Sequence, residues 1–293
     1  MVLKALCALL VASSVYAQNS LLDRKYKIGD KYQYKLTCSE YHNRILKSTV
    51  ISVCELKVGK NDDGIFYDEI NWISKITITG VDTSDQSNKA KSVKPYRISL
   101  HPKGKLELPA IMVPEMTQPM QDFNTFFVAV SPHLGTTELK AAGDSILNPD
   151  LIKADLSNGD FIVIGEDCFK IKMKITGITK ESVMTQVAFL PPAQACFTYL
   201  LEEMKIPVVD STINNIQMVL NAGNKKYNVQ YGREIFFIDS VSQRKDGKIE
   251  SAEMDNTLNL KVKINCGSDY KDCAAELPFT IQRNLILKML GDN

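Results

Sequence analysis

Several residue groups in this chain have types and spacings that chemistry could use. Gly143-Asp144-Ser145-Ile146-Leu147 holds a serine, a residue type that can serve as a hydrolytic nucleophile, behind a Gly-Asp pair. Such a serine needs a base to take its proton. His42, His101 and His133 all precede Ser145 and none follows it, so a Gly-Asp turn opening a strand is the simpler reading. Asp246-Gly247-Lys248-Ile249 with Glu253 copies the second half of a calcium loop. Ser242 and Arg244 occupy the places of its first ligands, so the segment reads as a hairpin. Ser-x-x-Lys occurs at Ser242–Lys245 and Ser268–Lys271, on a strand and in a small loop rather than at a helix start. No histidine pair has zinc-ligand spacing, and no phosphate loop or Gly-x-Ser-x-Gly is present. No metal or cofactor is expected. What remains for catalysis is carboxylates, with Glu166 and Asp167 as the pair a hydrolase would need.

The cysteines carry a clearer message. Lys4 gives a short basic start, Ala5–Val15 is apolar, and Val15-Tyr16-Ala17 suits cleavage, so residues 1–17 read as a secretory signal peptide too short to anchor a membrane. Cys7 would leave with it. Cys38, Cys54, Cys168, Cys196, Cys266 and Cys273 remain, an even set that an oxidising compartment joins. Nearness along the chain favours Cys38–Cys54, Cys168–Cys196 and Cys266–Cys273, one of fifteen connectivities. Secreted or periplasmic localisation follows. No Asn-x-Ser/Thr acceptor occurs past residue 17, which suits a bacterial protein better than a glycosylated one.

Charge excludes another class. The net charge of +1 falls to zero once Lys4 is removed, so binding to nucleic acid by phosphate neutralisation is not expected. No second apolar stretch reaches the roughly 20 residues of a membrane span. A chain of this length buries about three-quarters of the surface its unfolded form exposes.

The elements that must position these residues are mostly strands. In Phe169-Lys170-Ile171-Lys172-Met173-Lys174-Ile175 apolar residues alternate with lysines, and Leu258, Leu260, Val262 and Ile264 alternate with polar residues. Tyr32, Tyr34, Leu36 and Cys38 share a face, as do Ile70, Trp72, Ile76 and Ile78, and Phe279, Ile281, Leu285 and Leu287. One apolar and one polar face marks antiparallel sheet with one side in water. Turn signals agree at Asp62-Asp63-Gly64, His101-Pro102-Lys103-Gly104, Asn221-Ala222-Gly223-Asn224 and Lys245-Asp246-Gly247-Lys248, the last suited to a type I′ hairpin. Residues 80–94 read as an exposed loop. The expected fold is mainly β with minor helix: ten to thirteen strands in one or two curved antiparallel sheets, and two or three short helices. Residues 18–130 and 159–293 would be two β-rich halves joined by a linker at 131–158, or one continuous domain.

Two stretches read as helix. Ala193–Lys205 places Phe197, Leu200, Leu201 and Met204 at i, i+3, i+4 and i+7, and Pro207 stops it. Pro119–Phe127 gathers Phe123, Phe126 and Phe127 on one side. Helices of this kind over the concave side of a curved sheet enclose a cavity for an apolar ligand, and they serve ordinary core packing equally well. Lys170, Lys172 and Lys174 with Lys261 and Lys263 would suit anionic lipid headgroups, although lysine stripes more often only solubilise a sheet.

Some segments resemble known proteins. Gly143–Leu147 resembles the nucleophile block of the GDSL esterases and lipases, whose Asp-x-x-His has no counterpart here. The second half, from Phe127-Val128-Ala129-Val130-Ser131-Pro132 through Gly165-Glu166-Asp167-Cys168 to Arg233-Glu234-Ile235-Phe236-Phe237-Ile238-Asp239-Ser240, resembles uncharacterised secreted bacterial β-rich proteins. The layout is similar to periplasmic lipoprotein carriers of the LolA type, in architecture only, and architecture does not fix function. The functional expectation is a non-enzymatic extracytoplasmic protein that binds an apolar small molecule, a lipid or an envelope partner. Any ligand would lie under Phe197, Leu200, Leu201 and Met204. The alternatives are a carboxylate-based hydrolase and a purely structural secreted protein.

Overall fold

A computed structural model describes residues 20–104, 112–132, 135–147, 153–155, 161–163, 170–190 and 216–291. Strands β1 (Lys31–His42), β2 (Ile45–Lys60), β3 (Phe66–Thr79), β4 (Asp82–Asp85) and β5 (Tyr96–Ile98) come first. Helices α1 (Ser87–Lys91) and α2 (Thr117–Ala129) follow β4 and β5 respectively. The later strands are β6 (Ser145–Leu147), β7 (Lys153–Asp155), β8 (Phe161–Val163), β9 (Lys170–Ile178), β10 (Ser182–Leu190), β11 (Ile216–Gly223), β12 (Lys226–Gln243), β13 (Ile249–Cys266) and β14 (Ala275–Leu290).

Twelve strands form one antiparallel sheet in the order β4-β3-β2-β1-β14-β13-β12-β10-β9-β6, with β5 on β3 and β11 on β12. The sheet is curved and not closed, and β7 and β8 pair apart from it. This is the mainly β, curved antiparallel architecture that the alternation predicts. The lysine-striped strand behaves as read: Met173 and Ile175 are buried while Lys172 and Lys174 face solvent.

Register fixes which residues share the buried face. Tyr34 stands opposite Cys54 and Met289, and Cys38 opposite Val50 and Leu285. The same face continues through Met254, Ile238, Val187 and Met173. One expectation fails here. Trp72 pairs with Cys54 but Ser74 pairs with Val53, so Ile73 is an extra residue. A one-residue slip exchanges the two faces beyond it. Lys75 therefore turns inward, and Ile76 and Ile78 leave the face of Ile70 and Trp72.

The same register corrects a disulfide. Cys38 and Cys54 are buried free thiols, not a bridge. Cys54 lies opposite Tyr34, four residues along β1 from Cys38. That is about 13 Å at strand spacing, beyond the ~7 Å Cα reach of a disulfide. Cys266 and Cys273 are bonded, as expected. Cys168 and Cys196 lie outside the described residues.

Two turns also depart from their expected form. Asp246 keeps a negative φ and only Gly247 is left-handed, at 71°, so the β12–β13 connection is a longer loop than a type I′ turn. Paired positive φ angles occur instead at Asn43-Arg44 and Asn224-Lys225, the geometry that type I′ demands. Residues 80–94 contain β4 and the single-turn α1 rather than loop alone, because Ile76–Thr79 offers a free edge on which Asp82–Asp85 pairs.

Candidate functional site

Helix α2 lies on the buried face of the sheet. Pro114 begins the 3₁₀ turn that leads into it, and proline is tolerated there because the first N–H groups have no intrahelical partner. Met120, Phe123, Phe126 and Phe127 are buried along one side. The rings of Phe123 and Phe127 meet Tyr34 edge-on at 5.8 and 5.9 Å, and Phe123 meets Trp72 at 5.6 Å. Tyr34 Oη donates to the Ile249 carbonyl at 2.7 Å. Each fully buried ring contributes about 2–3 kcal/mol. This confirms the phenylalanine cluster read from the sequence and assigns its most buried part to packing.

A polar belt begins where the aromatic seam ends. Arg283 on β14 donates from Nη2 to Asp122 on α2 at 2.6 Å and to the Cys38 sulfur at 3.3 Å. Glu40 Oε2 is 3.9 Å from the Arg283 Nε and Glu40 Oε1 is 2.7 Å from His42 Nε2. Farther along, Asn256 Nδ2 donates to Glu234 at 2.7 Å. A cavity of about 80 Å³ opens between the belt and the start of α2, bordered by Cys38, Ser52, Lys75, Gln118 and Asp122. Lys75 Nζ donates to the Glu115 carbonyl at 2.5 Å. Burial pushes the Lys75 ammonium below its ordinary pKa, against the pull of Glu115. Burial pushes the Cys38 thiol up, against the pull of Arg283.

These groups can bind but are poorly set to react. A protonated thiol is a weak nucleophile, and His42 lies four residues away on the same strand, about 13 Å by strand geometry. The Ser52 hydroxyl is buried with no hydrogen-bond partner, so Lys75 does not receive its proton. No group of three His, Cys, Asp or Glu among the described residues could hold a metal. Ser145 starts β6 at the surface, and Asp144 accepts from the Lys140 and Ala141 amides, which is the turn predicted for it.

Beyond the belt, β11 to β14 project past the end of β1. His42 is the last β1 residue paired, opposite Ile281, and Ala275–Thr280 runs on for about 20 Å. One face of this projection holds Val229 and Tyr231, packed with Cys266 and with Tyr270 of the loop that Cys266–Cys273 closes. The other face, shared with α2, is apolar on β13 and β14, with Glu234 of β12 opposite Leu258. It presents Leu258 and Ile281 as one cross-strand pair, Leu260 and Phe279 as the next, and Val262 and Leu277 as the third. Phe236 and Phe189 stack beside it at 5.0 Å. Gly232 makes the close approach possible here, because a Cβ would collide with the backbone of Asn259 and Leu260.

A second buried ionic group serves the fold. Arg24 reaches Asp68 at 3.2 Å and Tyr32 Oη at 3.3 Å, with its guanidinium 4.6 Å from the Tyr26 ring centre. It also donates to the Asp246 carbonyl at 3.2 Å, fastening the N-terminal segment to the β12–β13 loop.

Of the residues predicted to line a site, Phe197, Leu200, Leu201 and Met204 lie outside the described residues, as do Glu166 and Asp167. The Arg283–Asp122–Cys38 cluster had no local signal, since Arg283 and Asp122 are 161 positions apart. No helix among the described residues is long and apolar enough to cross a membrane.

No protein-family model matches the chain, and no curated protein matches it in sequence. Among solved structures it is similar to lipovitellin, in a study of its lipid–protein interactions, at 9% identity and a TM-score of 0.45. That match covers 91% of this chain and 26% of lipovitellin, so the chain spans about a quarter of that protein. MucB in complex with the periplasmic part of MucA gives 7% identity and a TM-score of 0.16, covering 88% of this chain and 89% of that one. The Pseudomonas aeruginosa MucA/MucB complex gives 7% identity and 0.14, covering 89% of each. Similarity at these scores establishes neither a fold family nor a function.

Proposed function

We propose that the protein is a non-enzymatic extracytoplasmic binding protein whose ligand is an apolar small molecule or lipid. The reading rests on where the helix meets the sheet. Asp122 of α2 binds Arg283 of β14, and β13 and β14 carry the same face onward from Arg283 through Leu258 and Ile281 to Leu260 and Phe279. Phe236 stands beside this run, opposite Asn256. Apolar surface of that extent, bordered by a few fixed polar groups, is the usual make-up of a ligand site. In this reading Phe197, Leu200, Leu201 and Met204 roof the same face. The Cys266–Cys273 bond suits an oxidising compartment, and the periplasm or exterior is its proposed location.

The test is titration with a fluorescent fatty-acid analogue. Saturable binding is expected, weakened at least tenfold by combining Leu258→Ser with Phe279→Ser, with the circular dichroism of the parent retained. No saturable uptake by the parent chain would remove the proposal.

A further inference from the structure

We infer that the end of the sheet carrying the β1–β2 turn and the β11–β14 projection docks on the surface of an anionic lipid bilayer. Four of the large apolar side chains that stand in solvent lie at this one end: Ile45 at 63% exposure, Leu46 at 52%, Leu277 at 53% and Leu220 at 54%. Topology brings them together. The Asn43 amide donates to the Thr280 carbonyl at 2.8 Å, and the Thr280 amide to Asn43 Oδ1 at 2.9 Å, which fixes the Ile45-Leu46 tip beside β14. Leu277 lies three residues farther along β14. Leu220 stands opposite Asn228, on the same face of the projection as Leu277 by register.

The charge around these side chains points to the partner. Arg44 and Lys47 flank the apolar tip, and Lys225 and Lys226 form the β11–β12 turn next to Leu220. All four are exposed, and none makes an ion pair among the described residues. The nearest carboxylate on β14, Glu276, is already held by Lys261 at 3.4 Å and Lys263 at 3.8 Å. A chain whose total charge is only +1 thus concentrates unpaired cations around its exposed apolar tips. Shallow apolar insertion with basic flanks is the combination that holds proteins at anionic interfaces. The inference goes beyond ligand binding, because it names the surface from which such a ligand would be collected or to which it would be delivered.

The experiment is co-sedimentation of the full chain with vesicles of phosphatidylcholine alone or with added phosphatidylglycerol. Partition onto the anionic vesicles only is expected, falling as salt rises. Arg44→Gln and Lys47→Gln should each lower partition about fivefold, and Ile45→Asp with Leu46→Asp should abolish it. These side chains are exposed, so each variant should keep the parent's melting temperature, which circular dichroism checks. Equal partition onto both vesicles, or none onto either, overturns the inference. So does concentration-dependent self-association that buries Ile45, Leu46 and Leu277. Uptake of a soluble fatty-acid analogue is read separately: vesicle binding without uptake leaves the docking surface standing and removes the ligand site, and uptake without vesicle binding does the reverse.

Discussion

At the scale of single residues, burial decides what each polar group does. Asp68 is buried, and burial raises its pKa against the pull of Arg24. Removing the guanidinium by Arg24→Met would leave that carboxylate without its cation. The expected loss is about 3–5 kcal/mol, measured by urea unfolding, and Asp68→Asn in the same chain should recover part of it. The thiols give a second expectation. Cys38 and Cys54 are buried, with the Cys54 thiol pushed well above its ordinary range by burial. Neither should react with iodoacetamide in the native protein, and both should react in denaturant. Peptide mapping without reduction should join Cys266 to Cys273 and should give no Cys38–Cys54 fragment.

At the scale of elements, the aromatic seam and the projection are separate structures with separate sensitivities. Phe123→Ala empties the contact of α2 with Tyr34 and Trp72, and should cost about 3–5 kcal/mol in global stability. Cys266→Ser opens only a short loop, for which chain entropy gives about 2–3 kcal/mol. Its effect should appear in hydrogen exchange of β11–β14 amides before it appears at α2. The alternation of Tyr32–Cys38, Ile171–Ile175 and Leu258–Ile264 was legible in the sequence because each stretch keeps its apolar residues on one face of the sheet, without a bulge to exchange the faces. The spacing of Phe123, Phe126 and Phe127 likewise announced a helix. The inward turn of Lys75 was not legible, since it follows from the extra residue Ile73, and a bulge leaves no mark in an apolar run. Nor was the absence of a Cys38–Cys54 bridge, which depends on register rather than nearness. Arg283, Asp122 and Cys38 come together only through the pairing of β1 with β14 and the placement of α2 across them.

At the scale of the whole molecule, opposing carboxylates shape the response to acid. Burial pushes Asp30 up, but the Lys248 hydrogen bond and charge pull it further down. The Lys140 and Ala141 amides hold Asp144 below its ordinary range. Depressed groups add stability above the usual carboxylate pKa, and it is lost as pH falls through their folded values. Asp68, raised by burial, acts oppositely: its contribution is present in acid and lost as pH rises through its folded pKa. The melting temperature should therefore fall between about pH 5 and pH 2, with a shallower slope in Asp30→Asn. The central claim is that the apolar face beyond α2 holds a ligand, and native mass spectrometry of protein purified without detergent tests it most directly. The account predicts a mass above that of the polypeptide, with the excess released by organic extraction as an apolar molecule and diminished in the Leu258→Ser, Phe279→Ser variant. A folded chain at its bare polypeptide mass, before and after incubation with lipid, would contradict it.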